Sequence, residues 1–235
     1  MAKNITDKDI ILQMGIELNC NCTFYHHKKD WAKGMCGLVG QDAYLGDDHI
    51  GIHALVRNQQ VIALEFYSYN MLWIPESIGK LYTLEELYID GVKMTSLPSS
   101  IITLSKLETL KISGCSNFAN FPDDIGYLSA LRTIDVSYCH TIKELPEAIG
   151  KLFNLKHLSC FYCVNLCKLP QAIGNLAVLD YLDISYSNIT ELPEAITKLV
   201  NLNYLGVVGL TTSRQPDAAP IIIPQELKER IRYHE

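Results

Sequence analysis

The sequence predicts an α/β repeat solenoid, in which short parallel strands alternate with short helical turns and stack coil upon coil. Three observations carry that prediction. First, an apolar pattern recurs every 23 or 24 residues, opened in turn by Leu84, Leu107, Leu131, Leu155 and Leu179. A period in this range marks units that cannot bury their apolar sides alone and must stack on one another. Second, each unit begins Leu-x-x-Leu-x-Ile or a close variant, as in Leu107-Leu110-Ile112 and Leu131-Ile134-Val136. Alternation of this kind places one set of side chains inward and the set between them outward along a strand. Third, each unit closes Leu-Pro-x-x-Ile-x-x-Leu, seen at Leu97-Pro98, Phe121-Pro122, Leu145-Pro146, Leu169-Pro170 and Leu192-Pro193. Proline at a first helical position, followed by acids such as Asp123, Asp124, Glu147 and Glu194, suits a short helical or 3-10 turn.

The elements follow in order. Residues 1–60 read as an N-terminal cap of helix plus strand. Asp7 to Leu18 has the spacing of a short amphipathic helix, and Ile50–Val56 and Val61–Phe66 read as strands around Arg57-Asn58-Gln59-Gln60, with Trp31 upstream. Residues 61–210 hold the repeats, including degenerate units at Val61-Leu64-Phe66 and Leu202-Leu205-Val207. Gly79, Gly126, Gly150 and Gly174 recur at one place in the closing turn, where the missing side chain lets backbones pack closely or closes the turn. Residues 211–235 read as a loop, then a last strand at Ile221-Ile222-Ile223 and a capping helix from Pro224-Gln225-Glu226-Leu227. Caps are needed because terminal coils expose apolar edges.

In these motifs the chain resembles the leucine-rich repeat family. The Pro-x-x-Ile-Gly-x-Leu ending and the Cys-x-x-Ile variant are most similar to the intracellular repeats of plant immune receptors and similar microbial proteins. The resemblance implies a horseshoe with parallel strands on the concave side, helical or 3-10 turns on the convex side, and a cap at each end. It departs from the secreted plant pattern, because Ala54 or Val56 stands where a second cap cysteine is expected. Cys115, Cys139 and Cys163 hold the register in which this family stacks Asn or Cys. A buried thiol there is a small hydrophobe and a weak donor to the turning backbone. Cys160 falls at an inward position and reads as core. The strict register favours reduced packing, which suits a reducing compartment.

Residues expected to face outward on the strands form columns. One runs Ala63, Glu86, Thr109, Thr133, His157, Tyr181, Tyr204; the next runs Glu65, Tyr88, Lys111, Asp135, Ser159, Asp183, Gly206. A third runs Tyr67, Asp90, Ser113, Ser137, Phe161, Ser185, Val208. The C-terminal half thus gathers His157, Phe161, Tyr181 and Tyr204 around Asp135 and Asp183. Aromatics with a charge among them are what protein-binding hot spots use. Tyr138, Tyr162 and Tyr186 also recur at one register, which fits a framework role as well as recognition.

Other chemistry has little support. Cys20, Cys22, His26, His27 and Cys36 are donor types that zinc prefers, yet their spacing matches no strong finger pattern, so no metal site is expected. A thiol–imidazole pair of Cys36 with His26 or His27 lacks any further signature of a nucleophile. No Gly-x-Ser-x-Gly, phosphate-binding loop or His-Glu-x-x-His is present, so neither an enzyme nor a cofactor is expected. The net charge of −6, without a basic run, gives no footprint for nucleic acid.

The first residues, Met-Ala-Lys-Asn-Ile-Thr, hold no apolar leader, and no stretch reads as a membrane span. A cytoplasmic protein is expected. The alternative is a secreted one whose leader was removed, where the sequons at Asn4, Asn21 and Asn188 would matter. The expected function is non-catalytic recognition of a protein partner on the concave face, the partner presenting a basic or hydroxyl-rich patch. Two alternatives stand beside it. One is an adaptor or effector that delivers a partner to an enzyme such as a ubiquitin ligase; the other is extracellular recognition of a peptide or glycan.

Overall fold

The computed structural model describes residues 5–29, 51–210, 221–229 and 232–234. Its strands form a single sheet in chain order, β1 to β10. They are β1 (Asn21–Tyr25), β2 (Gly51–Arg57), β3 (Gln60–Tyr67), β4 (Glu86–Asp90), β5 (Thr109–Ser113), β6 (Thr133–Asp135), β7 (His157–Ser159), β8 (Tyr181–Asp183), β9 (Tyr204–Gly206) and β10 (Arg232–His234). Every described pairing is parallel except the β2–β3 hairpin. Its tight turn follows from Asn58 and Gln59, both at positive φ (50° and 67°), the backbone that matches the twist of the strands it joins.

Each strand from β3 to β8 is followed by a 3-10 turn, such as Glu76–Lys80, Glu147–Lys151 or Gln171–Asn175, and the solenoid interior lies between the two. Leu110, Ile112, Ile134, Leu158, Leu182 and their repeat equivalents are fully buried there. The prolines stand one residue earlier than their expected place. Pro75, Pro98, Pro146, Pro170 and Pro193 are extended N-cap residues of the turns. Their missing N–H removes one orphan donor, and the cap of the next coil comes from the side. Glu76 accepts from the backbone N–H of Ser99 and Ser100 (3.0 and 2.8 Å), and Glu147 from Gln171 and Ala172 (3.2 and 2.9 Å). These hydrogen bonds, that from Ser100 foremost, hold the Glu76 carboxyl below its ordinary range.

The recurrent glycines have the packing role. A Cβ on Gly150 would stand 2.4 Å from the Ala172 carbonyl oxygen, and one on Gly174 would stand 2.6 Å from that of Ala195. Among the thiols, Cys115, Cys139 and Cys163 are buried, and each Sγ lies 3.0–3.7 Å from a carbonyl of the preceding coil (Ile89, Ile112 and Val136).

The N-terminal cap is built around α1 (Asp7–Leu18). Thr6 and Asp9 form a reciprocal capping box at its start, and Asn19 ends it in the left-handed region at φ 49°. Ile10, Ile11 and Met14 close the first coil, while Asp7 accepts from Val61 N–H at 2.8 Å and ties the cap to the repeats. β1 is not among the elements that the sequence predicts. It carries Cys22 against the helix, where the Sγ lies 3.5 Å from the Ile11 carbonyl oxygen.

At the other end the helix Gln225–Lys228 forms, but the expected strand at Ile221-Ile222-Ile223 does not. The free edge of β9 is taken by β10 instead, so the three isoleucines have no ladder to join. Ile223 is buried all the same, whereas Ile222 is exposed. Trp31 and Cys36 lie outside the described residues.

Candidate functional site

Strand pairing sets the outward columns in the register expected from the repeat. His157 pairs with Tyr181 and Tyr181 with Tyr204; Asp135 pairs with Ser159, Ser159 with Asp183 and Asp183 with Gly206. Parallel strands about 4.8 Å apart bring like positions within side-chain contact. In the first column this produces a stack. The His157 and Tyr181 rings lie 3.9 Å apart, and Tyr181 and Tyr204 lie 4.4 Å apart, each pair tilted by only 5°.

Burial lowers the basicity of His157, which keeps it a neutral imidazole at neutral pH. Burial, then the charge of Asp183, pushes the Tyr181 phenol up, and burial does the same to Tyr204. Both phenols therefore remain protonated hydroxyls.

Beside this stack runs the polar column. Asp183 accepts from the Ser185 backbone N–H (2.9 Å) and the Tyr181 hydroxyl (3.2 Å) and is only 7% exposed. Asp135 accepts from the Ser137 N–H (3.0 Å) and hydroxyl, and that hydroxyl lies 3.0 Å from the hydroxyl of Ser159. The sequence-predicted residues thus divide. His157, Tyr181, Tyr204 and Asp183 form one cluster, and Asp135 stands one coil before His157 and two before Asp183.

Phe161 belongs to a second aromatic row. It meets Tyr138 edge-on at 5.5 Å and Tyr186 edge-on at 5.4 Å, while Tyr162 lies 5.4 Å from Tyr138 and 5.7 Å from Tyr186. Tyr162 and Tyr186 are exposed.

All three of these tyrosines have positive φ, at 62°, 58° and 56°, and Gly91, Gly114 and Gly209 take positive φ at the same register in other coils. A left-handed conformation costs a non-glycine residue roughly 1–2 kcal/mol. Three successive tyrosines thus carry that cost at a place where other coils use glycine. The signal was present in the sequence as Gly91, Gly114 and Gly209 at the same register, but reading it required the turn geometry.

The N-terminal cysteines gather no comparable site. Among the described residues, no group of three or more His, Cys, Asp or Glu side chains could hold a metal ion. Cys20 and Cys22 are free thiols, and burial pushes Cys20 up to about 11. His26 follows β1 and joins no cluster, and Cys36 lies outside the described residues.

The family model for a leucine-rich repeat region matches residues 147–220. The chain has the leucine-rich repeat fold. Two solved structures agree on the fold. A plant ice-binding protein superposes with a TM-score of 0.58 at 21% identity, covering 89% of this chain and 72% of its own. The ectodomain of the Arabidopsis receptor kinase HAESA, solved with a peptide hormone, gives 0.50 at 26% identity over 64% of this chain and 26% of its own. A Leptospira interrogans leucine-rich repeat protein gives 0.48 at 23% identity over 77% of this chain, which spans 50% of that protein. No curated protein sequence matches the chain. No described helix is long and apolar enough to cross a membrane.

Proposed function

We propose that this leucine-rich repeat protein is a non-catalytic recognition module that holds a protein partner against the C-terminal half of its concave face. The observation that carries the reading is the pair of aromatic rows, His157–Tyr181–Tyr204 and Tyr138–Phe161–Tyr162–Tyr186, flanking the polar column of Asp135 and Asp183. Exposed aromatic area of this kind marks interaction sites. The rigid coils fix these side chains in advance, so little rotamer freedom is lost when a partner docks. The HAESA ectodomain, whose ligand is a peptide hormone, supports a partner that presents a peptide segment. The reduced ladder of Cys115, Cys139 and Cys163 supports a reducing compartment as the working place.

Affinity capture followed by mass spectrometry tests the reading, with three baits of equal circular dichroism. These are the wild type, a Tyr181→Ala/Asp183→Ala variant, and a Phe153→Ala control on the convex side. A protein held by wild type and control but lost by the concave variant supports it. Identical captures by all three baits overturn it and move the functional surface to the caps or the convex side.

A further inference from the structure

We infer that the concave site selects an extended peptide carrying an arginine, whose guanidinium pairs with Asp183 beside Gly206; this rests on the concave-face reading and narrows its partner. The place of Asp183 comes from an irregularity in the repeat. At the position where other coils put Tyr88, Lys111 or Asp135, the ninth strand has Gly206. The Asp183 carboxylate fills the place that a side chain at 206 would take. A Cβ on Gly206 would stand 2.3 Å from the Asp183 Oδ1 and 2.9 Å from the Ser185 Oγ. The stacked rings of Tyr181 and Tyr204 wall one side.

Charge makes the occupant cationic. Asp183 is buried, and the donors that reach it, the Ser185 N–H and the Tyr181 hydroxyl, are neutral. Among the described residues the ion pairs lie elsewhere, at Lys28–Glu86, Arg132–Glu108 and Lys168–Glu144. Lys111 sits in the same column but across from Asp135, farther along the sheet from Asp183. Buried charges in proteins are normally paired, and a carboxylate has about four acceptor sites, of which two are filled here. Arginine suits the remaining sites better than lysine, because its planar fork matches a carboxylate and is less strongly hydrated. The aromatic wall shields the pair from water and strengthens it.

A glycan is the weaker occupant. Sugars pack on open ring faces, and both faces of Tyr181 are covered by His157 and Tyr204, leaving edges and hydroxyls.

The test selects phage-displayed random nonapeptides on the full chain, then titrates the synthesised consensus peptide by calorimetry. Arginine is expected to be enriched, and Asp183→Asn should weaken the consensus peptide at least tenfold. Arginine→citrulline in the peptide should do the same, and the two losses should not add. A selection without arginine enrichment, including one that yields no binder, overturns the inference, as does a consensus peptide indifferent to Asp183→Asn. If such a peptide still needs Tyr181, tested as Tyr181→Ala, the concave reading stands and only the arginine falls. If it needs neither residue, both fall. Tyr181-dependent binding on a glycan array, without any peptide, also overturns the arginine.

Discussion

Replacing Asp90 by asparagine should make the protein more stable at neutral pH and leave it unchanged in acid. Asp90 ends β4 on the concave side, in the third outward column. Asp135 and Asp183 each accept from the N–H of a serine two residues on. Asp90 instead stands in the column of Ser113, Ser137 and Ser185, and no described donor reaches its carboxyl. Burial without compensation pushes the group from 3.8 up to about 6.

The sign follows from linkage. Between about pH 4 and pH 6 the folded chain keeps a proton that the unfolded chain has lost. Stability from this site is therefore whole below about pH 4, falls as pH rises to about 6, and stays lost above it. At about 1.4 kcal/mol per pH unit the loss is about 3 kcal/mol, or roughly 6–12 °C in Tm for a chain of this size. The asparagine side chain carries no charge at any of these pH values, so the Asp90→Asn variant escapes the loss. Guanidinium unfolding followed by circular dichroism at pH 4, 6 and 8 gives the comparison, and other titrating groups cancel between variant and wild type. The reasoning is refuted if the gain is the same at all three pH values, or if wild type is the more stable at pH 8.

Three further outcomes are expected. Gly150→Ala places a methyl 2.4 Å from the Ala172 carbonyl oxygen, and should cost about 1–3 kcal/mol in guanidinium unfolding; a loss under about 0.5 kcal/mol would contradict the close coil packing. Tyr162→Gly removes a left-handed non-glycine residue and should change stability by no more than about 1 kcal/mol, while partner capture falls; retained capture would return Tyr162 to a framework role. Under native conditions a thiol reagent should label exposed Cys167 readily and spare Cys115, Cys139, Cys160 and Cys163, whose thiols burial pushes upward, until the protein unfolds. Labelling of those four at the rate of Cys167 would mean that the coils open locally.

The repeats were legible because their information is local and repeated. Alternation in Leu107-Glu108-Thr109-Leu110 says which side chains face inward, and the period says which of them stack. The columns through His157, Tyr181 and Tyr204 therefore fall in true register. The cap helix was legible from the spacing of apolar residues in Asp7 to Leu18, and the Thr6–Asp9 capping box came to light only in the structure. What stayed hidden depends on competition or on backbone geometry. The run Asn21-Cys22-Thr23-Phe24-Tyr25 holds strand-favouring Thr23, Phe24 and Tyr25 but is short and lies outside the repeat, and it becomes β1 by pairing with β2. Ile221-Ile222-Ile223 has strong strand signal and loses the edge of β9 to Arg232–His234. Spacing alone groups Phe161 with His157, because their columns are close. Its ring turns instead toward Tyr138 and Tyr186, whose left-handed backbone no spacing rule displays.

The same repetition that makes the scaffold readable limits what it can recognise. A column of like residues offers a partner nearly the same contact at every coil, so a shift by one coil changes little. The stack of His157, Tyr181 and Tyr204 supplies area and rigidity in this way. Register on the partner must then come from places where the repeat is broken. On this face they are Lys111, Asp135, Asp183 and Gly206, which break the sameness of one column. Gly206 is decisive among them, because any side chain there would displace the Asp183 carboxylate that leans into its place. Gly206→Ala should therefore weaken a partner more than its single methyl suggests, and a double-mutant cycle with Asp183→Asn should show the two losses overlapping. Additive losses would separate the glycine from the carboxylate and leave the aromatic rows to set register alone.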